Sequence, residues 1–184
     1  MNLIDTSVFR SCGADVRISD TAFFRYPELV SIGNHVAIDG FVYITTELVI
    51  HDYVHIGPHC SIIGGSKSKC VFMDFSGIAA GCRVICGSDD YTGSGLTNPT
   101  VPTSYHADLH FSSVIFEKHS LLGTNTVVHP GITLGEGATV GSCSLVTRNL
   151  LPWMIYKGIP ARPSKEREKK KILAFEKKLR EDLG

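Results

Sequence analysis

Few side-chain types can move protons, and this 184-residue chain places them unevenly. Eight histidines occur: His35, His51, His55, His59, His106, His110, His119 and His129. An imidazole is the side chain best suited to take a proton from an attacking hydroxyl or amine. Asp89 and Asp90 stand side by side in "GSDDYTG", where burial or mutual repulsion would raise one carboxyl into a useful range. The pairs His51/His55 and His106/His110 keep a four-residue gap compatible with zinc ligation, although that gap alone is a weak signal. Arg148, Lys157, Arg162 and Lys165 cluster towards the C-terminus.

What must position these groups is an element with a period of six. Ile32, Ile38, Ile44, Ile50, Ile56 and Ile62 keep one register. Leu122, Val128, Leu134, Val140 and Val146 keep another, with Phe116 opening it. Phe72, Ile78 and Val84 form a shorter middle block. Four residues after most of these positions come small or compact side chains, among them Val36, Val54, Cys60, Ser76, Cys82, Thr126, Ala138 and Ser144. Neither a helix nor a simple strand has this period. A short strand plus a turn does, and three such units close a triangular coil. The bulky residue points inward and the compact one fits the bend. One coil cannot bury its own faces, so several must stack as parallel β-structure. The early block supplies about two coils, the middle about one and the late block about two.

Two segments break the beat. "GGSKSKC" (64–70) reads as a short loop between coils. The stretch 86–113 is much longer, rich in Gly, Pro, Ser, Thr and Asp, and loops of that length in compact domains usually carry function. Residues 1–31 have a weak pattern and read as an N-terminal cap. Residues 164–184 read as a helix capped by Ser164, with Arg167, Lys170 and Lys171 along one side. An apolar stripe runs through Ile172, Phe175, Leu179 and Leu183. The expected organisation is therefore a β-helix domain over 1–163, with a cap over 1–31 and a loop over 86–113, followed by a C-terminal helix over 164–184. His35, His59 and His119 occupy equivalent turn positions expected to face solvent. Trp153 is expected either to stack on a ligand base or to cover the edge of the core.

Eighteen basic residues balance eighteen acidic ones, which argues against general attraction to nucleic acid or to a membrane surface. No run of apolar residues is long enough to span a bilayer, and the first residues lack the pattern of a signal peptide. Six cysteines without a C-x-x-C pair fit a cytoplasmic protein with free thiols. Cys60, Cys82 and Cys143 are expected as small core residues.

The hexapeptide beat over Ile32 to Lys165, together with "GIPAR" (Gly158 to Arg162), resembles the hexapeptide-repeat acyltransferases, in particular the galactoside, maltose and xenobiotic acetyltransferase branch. The resemblance implies an all-β fold: a single-stranded left-handed parallel β-helix of hexapeptide repeats, an exception to the usual right-handed crossover. It implies acetyl-CoA as co-substrate and a homotrimer with clefts between adjacent prisms. It places CoA contacts on Thr124, Ser142, Thr147, Arg148, Gly158, Arg162 and Lys165, with Lys157 as a further cation for the phosphates. Backbone N–H groups near Ser142 could hold the thioester oxygen as charge develops on it. Such enzymes carry a histidine base early in the long loop, where this chain has Asp89 and Asp90 instead.

Three arrangements stay open for the base. An aspartate replaces the imidazole; or a histidine elsewhere reaches the site, His55 first and His106 or His110 next; or the acceptor is an amine needing little base, oriented by the aspartate pair. The expected activity is acetyl transfer from acetyl-CoA to a hydroxyl or amine of a carbohydrate, such as a nucleotide-linked sugar for surface polysaccharide. The catalytic candidates are Asp90, His55 and Asp89, without a metal. The rivals are a non-catalytic β-helix scaffold and a zinc hydratase of the carbonic anhydrase type.

Overall fold

A computed structural model describes residues 4–183, the side chain of Leu183 excepted. The chain winds through about seven turns of a left-handed parallel β-helix. Ser11–Cys12, Val30–Ile32 and Val114–Phe116 lie on one face, here face A. Arg17–Ile18, Ala37–Ile38 and Leu121–Leu122 lie on face B. Phe23–Phe24, Arg83–Ile85 and Leu145–Val146 lie on face C. Successive turns pair in parallel, so equivalent residues stack one rung apart, about 4.8 Å.

The six-residue beat becomes three columns of inward side chains. Ile32, Ile50, Phe72, Phe116 and Leu134 fill face A. Ile18, Ile38, Ile56, Ile78, Leu122 and Val140 fill face B. Ile44, Ile62, Val84, Val128 and Val146 fill face C. All are buried, and each full burial contributes about 1.5–3 kcal/mol. Midway up, Phe72 and Phe116 stack with centroids 4.3 Å apart.

Two corners turn through one residue with positive φ per rung. His35, Tyr53, Phe75, His119 and Trp153 repeat at the corner between faces A and B. Phe41, His59, Asn125 and Cys143 repeat between B and C. At the first corner the rings of His35, Tyr53, Phe75 and His119 stack successively at 4.7, 4.7 and 5.1 Å. At the second, the compact residues hydrogen-bond the next turn: Cys60 and Cys82 donate to the carbonyls of Ala79 and Gly123, and Thr126 to that of Gly141.

Several expectations are corrected. Residues 11–24 are the first coil, not a cap, and Ile18 already belongs to the core. Residues 64–70 lie inside the strand Ser61–Phe72, which rounds the third corner. Irregular pairing against Tyr43–Ile50 absorbs the extra residues, and Thr46 hydrogen-bonds Ser68 in the interior. Cys143 is exposed at a corner rather than packed in the core. The helix spans Lys169–Leu183, five residues later than expected. Ser164 instead belongs to Arg162–Glu166, which pairs antiparallel with Met154–Lys157.

Glu168 accepts a hydrogen bond from the Lys170 N–H at the start of the helix. The helix then docks on the first corner through charge. Glu176 is buried against Lys118 (2.6 Å) and His119 (2.8 Å), and Arg180 reaches Asp74 (2.9 Å). Arg167 caps the carbonyls of His119 and Gly137. His119 therefore faces the helix and not solvent. Trp153 is a buried corner residue under Lys169. Phe175 of the expected apolar stripe is 73% exposed, and the Leu183 side chain lies outside the described residues.

Candidate active site

The third corner, between faces C and A, is where the long loop leaves the prism. Gly87–Ser88 and His110–Phe111 pair antiparallel as its neck, and the Ser112 N–H closes it onto the Cys86 carbonyl at 2.8 Å. Gly87 permits this closeness, because a Cβ there would sit 2.6 Å from the Gly64 carbonyl oxygen. The inserted residues of Ser61–Phe72 thus buttress the neck.

Beside the neck opens a cleft of about 350 Å³, lined by Ile85, Ser88, Asp89, Asp90, Tyr91, Thr92, His110, His129 and Pro130. It draws residues from the loop and from the rigid coil together. Asp90 is buried, and its two oxygens are fully engaged. Thr92 donates its N–H (2.7 Å) and hydroxyl (2.6 Å) to Oδ1, and the Ser94 hydroxyl donates to Oδ2. These hydrogen bonds, Ser94 foremost and Thr92 next, hold the Asp90 carboxyl well below the usual carboxylate range. Asp90 is therefore a fixed negative charge that folds residues 90–94, and a poor proton acceptor. Asp89 is half-buried, and its carboxylate has no hydrogen-bond partner among the described residues.

His55 is not brought to this cleft. It lies on face B, exposed, with Nε2 2.8 Å from Asp39 Oδ2. It borders a separate hollow of about 490 Å³, which exists because the outward residues there are Gly57, Gly77, Ala79 and Ala80. His51 and His55 end up on different faces, since His51 follows the strand Tyr43–Ile50 on face A. Among the described residues no three His, Cys, Asp or Glu side chains gather as a metal site.

The residues expected to contact CoA are all exposed, and most line the upper rungs of face C. Thr124, Ser142 and Gly158 sit on successive turns at the corner between faces B and C. The Thr124 carbonyl accepts the Cys143 N–H, and the Gly158 N–H donates to the Ser144 hydroxyl. The segment from Gly158 to Ala161 crosses the top of face C, exchanging two backbone hydrogen bonds with Leu145. Thr147 and Arg148 stand at the far end of the same rung. Arg162 pairs with Lys157 beyond the corner, whereas Lys165 pairs with Ile155 and belongs to face B. The wall between is apolar, with outward Val127 and Leu145. A long ligand with phosphates at one end and an uncharged arm fits this layout: cations at the margins of the wall, and between Gly158 and Ala161 the backbone groups of Ile159 and the Pro160 carbonyl, which the described residues leave unpaired.

Over 165 residues, 88% of this chain and 84% of the relative, it is 38% identical to dTDP-4-amino-4,6-dideoxy-D-glucose acyltransferase of Escherichia coli. The chain belongs to the hexapeptide-repeat acyltransferases. It is an acyltransferase, and it resembles solved members of the group. AntD, an N-acyltransferase from Bacillus cereus in complex with dTDP and 3-hydroxybutyryl-CoA, superposes with a TM-score of 0.90 at 34% identity, covering 96% of this chain and 93% of that one. A hexapeptide-repeat acetyltransferase of Vibrio cholerae in complex with acetyl-CoA has a TM-score of 0.60 at 17% identity, a likeness of fold alone. No family model matches the chain.

For this acyltransferase the sequence located the loop and the Asp89–Asp90 pair, but not the coil residue facing them. His129 directly follows the inward Val128 and is placed at the cleft by the register of the coil. The signal that could have found it is its phase: it is the first residue past the strand on the turn above the loop's exit.

Proposed function

We propose that this acyltransferase moves an acyl group, acetyl in the first instance, from acyl-CoA to the amino group of a nucleotide-linked deoxyamino sugar. The observation that carries this reading is the pair of carboxylates at the cleft, one locked and one free. Two negative groups attract and orient an amine, whereas they repel the developing alkoxide of a hydroxyl acceptor. The acceptor class agrees with the names of the similar proteins, one a dTDP-4-amino-4,6-dideoxy-D-glucose acyltransferase and the other an N-acyltransferase in complex with dTDP.

In this reading Asp89 hydrogen-bonds the acceptor amine, and Asp90 sets the shape of the loop that presents it. CoA lies along face C, its arm over Val127 and Leu145, its phosphates towards Lys157 and Arg162, and its thioester end towards Arg148 and the root of the loop. Backbone groups around Ser142 and Gly158 guide the arm. Lys165 is left out of the first contacts, because it lies opposite Ile155, further along face B from the corner where Arg162 meets Lys157. The working molecule is a homotrimer in the cytoplasm. The exposed Tyr91, Leu96, Tyr105, Leu109 and Phe111 of the loop give each prism an apolar arm for its neighbour, and the buried cysteines stay as thiols.

Calorimetric titration with CoA separates this enzyme from a scaffold of the same fold. Saturable binding is expected, weakened about tenfold or more in Arg162→Ala through loss of one charge-assisted contact. No heat of binding with the wild-type protein would support the scaffold.

A further inference from the structure

We infer that His129 is the proton acceptor of the reaction, taking the proton that the attacking amine must shed. The inference rests on the acyl-transfer reading above and adds the residue which that reading lacks. Of the ionisable groups lining the cleft, Asp90 is occupied on both oxygens by Thr92 and Ser94. Asp89, Tyr91 and His110 all ride on the loop or its neck. His129 alone stands on the coil. Its N–H is tied to the Val146 carbonyl at 3.0 Å, Val128 before it is fully buried, and Pro130 after it restricts the backbone.

Its place between the two substrates is fixed by register. Val128 stacks on Val146, so His129 and Pro130 lie one rung below Thr147 and Arg148. Val84 stacks under Val128, so Ile85 and the root of the loop lie one rung below His129. The imidazole therefore sits where the acceptor cleft meets the proposed CoA edge. The charged groups around it are Asp89, Asp90 and His110 across the cleft, with Tyr91 beside them and Arg148 on the rung above. Arg83, on the rung below, is turned to the other corner, where it donates to the carbonyls of His59 and Gly81.

The step balances without any oxidant or reductant. The amine nitrogen adds to the thioester carbonyl carbon and forms the N–C bond. The imidazole of His129 accepts the N–H proton as the nitrogen becomes positive. The C–S bond breaks with its electron pair on sulfur, and the imidazolium returns the proton to the thiolate. The products are an amide and free CoA thiol.

The test compares kcat, KM and the pH dependence of kcat/KM for wild type, His129→Gln and His110→Gln, using acetyl-CoA and a dTDP-linked 4-amino-4,6-dideoxy sugar. His129→Gln should lower kcat about 100-fold, lose the acid limb of the pH profile and keep its calorimetric affinity for CoA. His129→Gly should regain rate when imidazole is added. His110→Gln should keep the acid limb. An unchanged kcat and acid limb in His129→Gln, or transfer of that limb to His110, would overturn the inference while leaving the acyl-transfer reading intact. A wild-type protein that transfers nothing to the amino sugar would overturn both.

Discussion

At Asp90, three donors from Thr92 and Ser94 settle the side chain's chemistry. A carboxylate so well supplied with donors stays ionised and has little appetite for a proton. Asp89, one residue away, lacks such partners and faces the same cleft. The two changes to asparagine should therefore separate. Asp89→Asn is expected to lower kcat/KM for an amino acceptor at least about tenfold, roughly 1.4 kcal/mol of barrier. Asp90→Asn is expected to quicken amide hydrogen exchange over residues 90–94, because one amide oxygen becomes a donor. His55→Ala should leave kcat/KM unchanged, since His55 is paired to Asp39 on another face. Equal losses in all three by steady-state kinetics would place the chemistry elsewhere. The dipeptide was visible in the sequence; the division of labour was not. It depends on hydroxyls two and four residues downstream, and hydroxyls are common in any loop.

The C-terminal helix shows how an element can be held by charge where its apolar stripe suggested packing. Burial pushes the Glu176 carboxyl up, but hydrogen bonds from Lys118, Arg180 and His119 outweigh it and hold it at about 2, below its ordinary 4.5. A carboxyl depressed in the folded state stabilises above its ordinary value, and that stabilisation drains away as pH falls through the folded value. The helix should therefore undock between about pH 4.5 and pH 2. The chain's one tryptophan, Trp153, reports this directly, because it is buried at the corner where Lys169 covers it. A fluorescence transition in that window is expected, absent in Glu176→Gln. A flat titration of wild type would mean that the helix is held by its apolar contacts instead. The sequence disclosed a helix here but not its start or its anchor. Arg162–Glu166 is drawn into a hairpin by Met154–Lys157, a tertiary pairing that overrides the local cap signal at Ser164.

Across the molecule, the period of six was the most legible feature. It places a bulky residue at each rung of three columns, and Ile38, Ile50, Leu134 and Val146 all prove buried. It failed where two of a coil's three positions are kept by residues other than Val, Ile and Leu: the first coil sets Cys12 and Phe24 beside Ile18. It was silent about His129, because what an outward residue faces depends on the neighbouring rungs and on a loop that the repeat does not describe.

The prism and loop together also bear on assembly. The loop's exposed aromatics leave an apolar arm that a lone prism does not cover. Sedimentation equilibrium is expected to give three times the chain mass, and to give the single-chain mass once residues Tyr91 and Tyr105 are both changed to Asp. A wild-type mass of one chain would exclude clefts shared between subunits.

Acyl transfer to an amine at the loop-root cleft can be assayed outright. Its most direct measurement is thiol release from acetyl-CoA with a dTDP-linked 4-amino-4,6-dideoxy sugar, set against the same sugar bearing a hydroxyl at that carbon. Stoichiometric thiol and an N-acetylated product are expected with the amine, and only background release with the hydroxyl. Equal release with both sugars, or none above background with the amine, would contradict it.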